Sequence, residues 1–304
     1  MLAAMREHYQ DNARGIGIIL VVYGHVLRGL ADAGLLPGAA AGHALLLSDY
    51  AIYTFHMPLF FLLSGLNAPA SLHRSRIRFV RGKLRTIVYP YLLWSVLQGL
   101  MQWSVSRYAN HPFSLASLAR IFWEPFGQFW FLYALLICQL IAAAFVDPRI
   151  AERGEPSAMR LWHRQAAVAG VALAGIVLGA MTSWGIVTQA FVMLPFYLLG
   201  MLLSGGRLRN LLRRAAQMPA GLAIAGLALL FAFLAAAARQ YGSYDSVYAL
   251  PAGLAGILLT LLISYRVAAL RRSAIAKGLR ALGAASMPIF LLHIFLTGGT
   301  RIAL

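Results

Sequence analysis

Long apolar segments separated by short basic loops dominate this sequence. Of its 304 residues, 61% are hydrophobic and only 12% are charged, whereas soluble domains carry about 25% charged residues. A helix of about 20 apolar residues spans the roughly 30 Å hydrocarbon core of a bilayer. The pattern therefore predicts an all-α, polytopic integral membrane protein that is embedded in the lipid bilayer.

Nine apolar segments are predicted to be membrane spans, and a tenth element is possible. The polar stretch 112–126 cannot span but fits the interface, where a re-entrant piece would raise the number to ten. Because every loop is shorter than about 25 residues, we expect residues 1–304 to form a single membrane-embedded domain without a separate soluble domain. The predicted spans lie near 15–35, 45–66, 86–103, 126–146, 165–181, 186–204, 219–238, 247–265 and 283–300.

Loop charge orients these spans. Lysine and arginine accumulate on the cytoplasmic side of membrane proteins. With nine spans, the side that holds the N-terminus carries all 26 basic residues except Arg28, Arg107, Arg120, Arg239 and Arg301. The N-terminus is therefore predicted to be cytoplasmic, in what we expect to be a bacterial inner membrane. The net charge of +17 is spread over separate loops, so we expect no nucleic-acid partner.

The first span could alternatively be a cleaved signal peptide, because small residues follow it at 38–41. Against this, Glu7 and Asp11 cancel the basic charge that precedes the span, and His25 and Arg28 interrupt its apolar run. We therefore expect the first span to be retained.

Three histidines are predicted to lie at the same depth. His25 follows Arg14 by eleven residues, which is about 16 Å along a helix. His56 and His293 each lie about ten residues, or roughly 15 Å, from the expected cytoplasmic end of their spans. Ionisable groups at this depth indicate a functional site, although each histidine could instead simply pack against a neighbouring helix. Because no Asp or Glu is expected nearby, we predict no metal.

A basic cluster follows the second span and is predicted to face the cytoplasm. Its members Arg78, Arg81, Lys83 and Arg85 could bind anionic lipid or the phosphates of a cytosolic ligand, for which arginine is well suited. Arg14 is a better placed candidate for the same ligand, because it begins the helix that carries His25.

Polar and aromatic residues near the expected outer face could bind a sugar. Trp130 begins a run of aromatic residues, and Gln128 and Glu124 lie just before it. Trp130 could instead anchor the helix in the membrane interface, where such residues are enriched.

Four stretches resemble acyltransferase family 3. They are Asp11-x-x-Arg14-Gly15 with Ile18–His25, Phe55–Phe61 with Ser64-Gly65, Trp130-Phe131-Leu132, and Ser286–His293 with Arg301. The second stretch is similar to the branch that includes fucose 4-O-acetylases. The resemblance implies a membrane enzyme that moves an acyl group, usually acetyl, from cytosolic acyl-CoA to a hydroxyl of a cell-envelope or exported glycan.

The resemblance also assigns roles to residues. It implies catalysis by His25, an essential role for Arg14, and an Arg-x-x-Arg element that Arg78 and Arg81 match, while the choice among the basic residues 78–85 stays open. Acyl transfer needs a base for the attacking hydroxyl, so we expect His25 to be that base or to carry the acyl group. His56 or His293 would orient it, and His293 is also a candidate contact for the acceptor.

Two rival functions remain at this point. A proton-coupled transporter or exporter also uses histidines and proline-broken helices at the midplane. A non-catalytic assembly or glycan-binding membrane protein would tolerate the loss of His25 and Arg14.

Overall fold

The computed structural model describes residues 8–104, 116–125, 127–147, 149, 158–270 and 272–303, and the regular secondary structure of these residues is helical. No strand occurs in those residues. The helices are α1 (His8–Asp32), α2 (Ala39–Arg74), α3 (Arg76–Lys83), α4 (Tyr89–Ser104), α5 (Ala116–Ala119), α6 (Trp130–Phe145), α7 (Ala158–Met181), α8 (Ile186–Leu202), α9 (Arg207–Ala215), α10 (Ala220–Tyr241), α11 (Leu250–Ala269), α12 (Ala274–Ala284) and α13 (Ser286–Ala303).

The helices form two compact units. The first comprises Met1–Phe60 and Gly206–Leu304, and the second comprises Phe61–Gly205. The boundary falls inside α2. The first unit therefore contains α1, the first part of α2 and α9–α13. The expectation of a single membrane domain stays a prediction.

Six helices among the described residues are long and apolar enough to cross a membrane, or up to eight if each of two bent helix pairs is one span. This composition is that of an integral membrane protein. Helix α4 covers most of the expected span 86–103, from Tyr89 onwards, but has only 16 residues, about 24 Å of helix, which is short for a bilayer. The count of nine to ten spans and the cytoplasmic N-terminus stay predictions.

The expected interfacial stretch 112–126 lies only partly within the described residues. There, α5 is followed by a short 3₁₀ turn, Arg120–Phe122. Residues 112–115 and 126 lie outside the described part of the chain.

Helix α1 organises the first unit by packing against α11, α12 and α13. Its contact with α12 is so close that two glycines are required. A Cβ at Gly283 would overlap the carbonyl oxygen of Asp11, and a Cβ at Gly15 would overlap that of Leu279. These reciprocal contacts fix α1 against α12. Helix α13 then leaves α12 at an angle of 76°.

A similar pair of glycines joins α2 to α8 in the second unit. A Cβ at Gly65 would overlap the Tyr197 carbonyl oxygen, and a Cβ at Gly200 would overlap that of Leu62. Helix α8 also packs against α6 and α7. The second unit is therefore built around α8.

The candidate active site

Two of the predicted histidines meet inside the first unit. His25 of α1 and His293 of α13 lie nearly perpendicular, with 4.8 Å between their ring centroids and an interplanar angle of 70°. His25 is partly exposed, whereas His293 is buried. Helices from opposite ends of the sequence thus bring two imidazoles into contact.

Tyr53 joins the third histidine to this pair. Its ring centroid lies 4.5 Å from that of His56, one turn further along α2, and 6.5 Å from that of His25. The aromatic ring of Tyr53 can approach α1 because Gly24 has no side chain; a Cβ there would come within 2.7 Å of the ring. Gly24 is therefore the residue that lets α2 meet α1 beside His25.

Each of the three histidines is held by its own helix through the same ring nitrogen. Nδ1 lies 2.9 Å from the Val21 carbonyl oxygen for His25, 2.8 Å from that of Ile52 for His56, and 2.8 Å from that of Phe290 for His293. A carbonyl oxygen can only accept, so Nδ1 must carry the hydrogen. In the neutral ring, Nε2 is then the basic atom.

Several buried polar atoms of this cluster have no hydrogen-bond partner among the described residues. They are Nε2 of His56, Nε2 of His293 and the hydroxyl of Tyr53. Buried polar groups are nearly always satisfied in folded proteins. The cluster therefore has hydrogen-bonding capacity that the described residues leave unused.

An ion pair stands beside the cluster. The Arg28 guanidinium donates to both carboxylate oxygens of Asp49 at 3.0–3.1 Å and to the Tyr244 hydroxyl at 3.3 Å. Its Cζ lies 3.3 Å from the centroid of the Tyr53 ring. A bidentate arginine–carboxylate pair has a fixed geometry, so Asp49 and Arg28 together hold Tyr53 in place.

Arg14 lies on the same continuous helix as His25, as expected. It forms an ion pair with Asp11 at 3.1 Å, and both side chains are largely buried. The neighbouring Asn12 is fully buried and donates to the Ser264 carbonyl oxygen on α11 at 3.2 Å. The start of α1 is therefore a polar, tightly packed region.

The predicted basic residues lie on and after α3, in the second unit. Arg78, Arg81 and Arg85 are exposed. Lys83 is half-buried, with Nζ 4.3 Å from the Phe79 ring centroid, and partial burial lowers its pKa below the ordinary value. The three arginines are thus accessible to a ligand.

A π-helical turn, Leu84–Val88, follows α3 and leads into Pro90. Proline has no N–H to bond the carbonyl four residues earlier, which explains the wider turn. Turns of this kind often occur at functional sites.

The candidate sugar-binding residues are also in the second unit, in differing environments. Gln128 is buried and pairs with Gln98, to which its amide nitrogen donates at 2.7 Å. Trp130 is half-buried at the start of α6, and Glu124 is exposed, 3.9 Å from Arg120. Their role in binding an acceptor stays a prediction.

Reasoning from the sequence overlooked Tyr53, Arg28, Asp49 and Tyr244 as members of the cluster. Two of them carry a detectable signal: Arg28 follows His25 by three residues, and Tyr53 precedes His56 by three. Residues three apart share a helix face. Tyr244 carries no such signal, because it lies between α10 and α11.

No group of three or more His, Cys, Asp or Glu side chains within the described ranges is arranged to hold a metal ion.

A membrane-type helical fold with a partly exposed imidazole whose Nε2 can accept a proton is compatible with acyl-transfer chemistry, and comparison with known families agrees. A family profile for the acyltransferase 3 group, described as an acyltransferase domain, matches residues 7–303. The chain therefore belongs to this acyltransferase family.

Two curated relatives are nodulation proteins named NolL. The one from Mesorhizobium japonicum is 30% identical over 197 residues, which cover 63% of this chain and 46% of the relative. The one from Sinorhizobium fredii is 33% identical over 138 residues, which cover 44% and 35%. The chain thus spans less than half the length of these relatives. No solved structure matches the chain significantly.

Proposed function

We propose that this chain is a membrane O-acyltransferase that moves an acetyl or other acyl group from cytosolic acyl-CoA to a hydroxyl of a cell-envelope or exported glycan. A bacterial inner membrane would hold the enzyme between the two substrates. Within the family, we place the chain in the branch that resembles fucose 4-O-acetylases. Membership of the acyltransferase family supports acyl transfer as the class of reaction. The identities of the donor and of the acceptor are our proposal.

The observation that carries the proposal is the state of His25. Its Nδ1 donates to the Val21 carbonyl oxygen at 2.9 Å, so the free electron pair lies on Nε2. In that tautomer Nε2 is the atom that can accept a proton, as a general base must. The ring is held by its own helix and by the edge contact with His293, so little reorientation is needed before reaction.

The proposed reaction proceeds in a single transfer. Nε2 of His25 takes the proton of the glycan hydroxyl while the hydroxyl oxygen forms a bond to the thioester carbonyl carbon. The carbon–sulfur bond then breaks, and the imidazolium returns the proton to the sulfur. The products are the acyl ester and CoA. His56 and His293 would orient the reacting groups through their Nε2 atoms.

Donor binding is assigned to arginines. Arg14 would bind the donor from the helix that carries the base, and the exposed Arg78, Arg81 and Arg85, with Lys83, would bind the CoA phosphates. Arginine suits phosphate because its planar group forms paired hydrogen bonds. Trp130, Gln128, Glu124 and His293 remain the proposed contacts for the acceptor.

The test uses membrane vesicles, radiolabelled acetyl-CoA and the envelope glycan fraction from a deletion strain as acceptor. We expect wild-type vesicles to transfer label and His25→Ala to lose about 100- to 10,000-fold of the rate. His43→Ala is the matched control, because His43 is an exposed histidine of α2, and its rate should equal that of wild type.

Two outcomes would overturn the proposal. Full transfer of label by His25→Ala would show that His25 is not the base. Movement of solute across wild-type vesicles without consumption of acetyl-CoA would favour the alternative function of a proton-coupled transporter. Mass spectrometry of envelope glycans with and without the gene would then identify the acceptor hydroxyl.

A further inference from the structure

We propose that Tyr53 is a catalytic residue whose hydroxyl donates a hydrogen bond to the thioester carbonyl oxygen as negative charge develops there. This inference rests on the proposed acyl transfer. No sequence motif pointed to Tyr53. Its environment in the first unit carries the inference, through a fixed ring and an unused hydroxyl.

The ring of Tyr53 is held on several sides. The guanidinium of Arg28 covers it at 3.3 Å, the ring of His56 lies edge-on at 4.5 Å, and the ring of Tyr244 lies 5.1 Å away. Only 8% of the residue is exposed. A donor held this firmly loses little entropy when it binds a ligand.

The hydroxyl of Tyr53 is buried without a partner among the described residues. It lies against the α1 backbone at Gly24, where a Cβ would be 3.3 Å from the hydroxyl oxygen. His25 is the next residue of α1. The structure thus places an O–H donor without a partner among the described residues against the backbone of α1, one residue before the proposed base, whose ring centroid lies 6.5 Å from that of Tyr53.

Acyl transfer requires such a donor. When the hydroxyl oxygen of the acceptor bonds to the carbonyl carbon, the electron pair of the carbonyl double bond moves to the carbonyl oxygen. A preorganised donor in a site shielded from water stabilises that charge. The electron pair returns as the carbon–sulfur bond breaks, so Tyr53 keeps its proton, and the proton taken by His25 goes to the sulfur.

Removing the hydroxyl should have opposite effects on rate and stability. In Tyr53→Phe the ring and its contacts remain, so we expect the kcat and kcat/KM of acetyl transfer to fall together by about 100- to 1,000-fold. The melting temperature of the protein in detergent should be unchanged or higher, because an unsatisfied buried group is removed.

Tyr50→Phe is the matched control from the same helix. The Tyr50 hydroxyl donates to the Gly242 carbonyl oxygen at 3.2 Å, so its loss should lower the melting temperature slightly and leave kcat unchanged. A wild-type level of kcat in Tyr53→Phe would overturn the inference. A large fall in its melting temperature would also overturn it, because the hydroxyl would then have a structural partner.

Failure of the underlying function is recognisable separately. If wild-type vesicles transfer no label from acetyl-CoA, the proposed function fails. If wild type transfers label and His25→Ala does not, while Tyr53→Phe equals wild type, the function stands and the role of Tyr53 is wrong.

Discussion

His293 presents its imidazole edge-on to that of His25, with 4.8 Å between the ring centroids. The contact depends on the bend between α12 and α13. Helix α12 lies against the start of α1 through Gly283 and Gly15, and α13 then carries His293 to the level of His25. The last described helix thus completes a cluster that the first begins.

His293→Phe should reduce catalysis with little effect on folding. Phenylalanine keeps the ring against His25 but removes Nε2 and the hydrogen on Nδ1. We expect kcat to fall about 10- to 100-fold with the KM for acetyl-CoA unchanged, since His293 is proposed to act on the reacting groups and not to bind the donor. Turnover in reconstituted vesicles measures both constants.

His293→Gln serves as the conservative variant, because it retains polar atoms in the same position. Partial recovery of kcat in His293→Gln would distinguish a polar role from packing. Equal kcat for wild type and His293→Phe would show that the ring only fills space.

Gly283→Ala should destabilise the first unit. Its new methyl group would overlap the Asp11 carbonyl oxygen, and overpacking of this kind costs about 1–3 kcal/mol. Gly278→Ala in the same helix α12 is the control, because nothing lies within 4 Å of its added Cβ. It should stabilise the helix by about 0.5–1 kcal/mol. Thermal unfolding in detergent gives both values, and equal melting temperatures would refute the close contact.

Arg76 and Arg78 should respond differently to replacement by alanine. Arg76 donates to the carbonyl oxygens of Ala143, Ala144 and Val146 at the end of α6. Arg76→Ala should therefore lower stability by about 1.5–3 kcal/mol, the range for hydrogen bonds to a charged group. Arg78 is exposed, so Arg78→Ala should preserve the melting temperature and raise the KM for acetyl-CoA.

The reverse pattern would contradict these assignments. If Arg76→Ala kept the melting temperature of wild type but had a raised KM for acetyl-CoA, Arg76 would be a donor-binding residue. An unchanged KM in Arg78→Ala would remove Arg78 from the donor site.

The stability of the second unit should depend on pH through Asp147. Partial burial opposes its ionisation, but hydrogen bonds from Arg149 and the charges of Arg164 and Arg149 outweigh this and lower the pKa of Asp147 below its ordinary value. A lowered pKa in the folded state adds stability above the unfolded pKa of about 3.9, and that stability is lost as pH falls further.

The expected result is a difference between wild type and Asp147→Asn that depends on pH. Wild type should have the higher melting temperature near pH 6, and the difference should shrink as the pH falls below about 4. A constant difference over this range would show that the carboxylate charge of Asp147 is not involved.

The sequence predicted the helical class from the apolar segments, and it predicted a common depth for His25, His56 and His293 from helix geometry. Their contact was expected only if their helices are adjacent. Counting residues from each predicted span end gives that expected depth but does not say which helices are neighbours, so the contact between His25 and His293 is known from the structure alone. Tyr53 was not identified in this way, because placing a tyrosine in an apolar span has no evident free-energy cost that would mark it as functional. Its importance depends on contacts with Arg28 and Gly24, which belong to a different helix.

The environments of Gln128 and Asp49 also could not be predicted. Each pairs with a partner distant in sequence, Gln98 and Arg28 respectively, and a single sequence does not reveal such pairs. The number of spans is also difficult to predict from the sequence. The bend between α12 and α13, for example, is not marked by a polar segment in the sequence.

The unbroken course of α1 makes it a molecular ruler. Arg14 and His25 are eleven residues apart on one helix, so their separation is about 16 Å and cannot adjust by hinge motion. A donor anchored at Arg14 must carry its thioester on an arm long enough to reach the base. A short synthetic thioester without the nucleotide end would lack that anchorage, and its acyl group would reach His25 only by free diffusion.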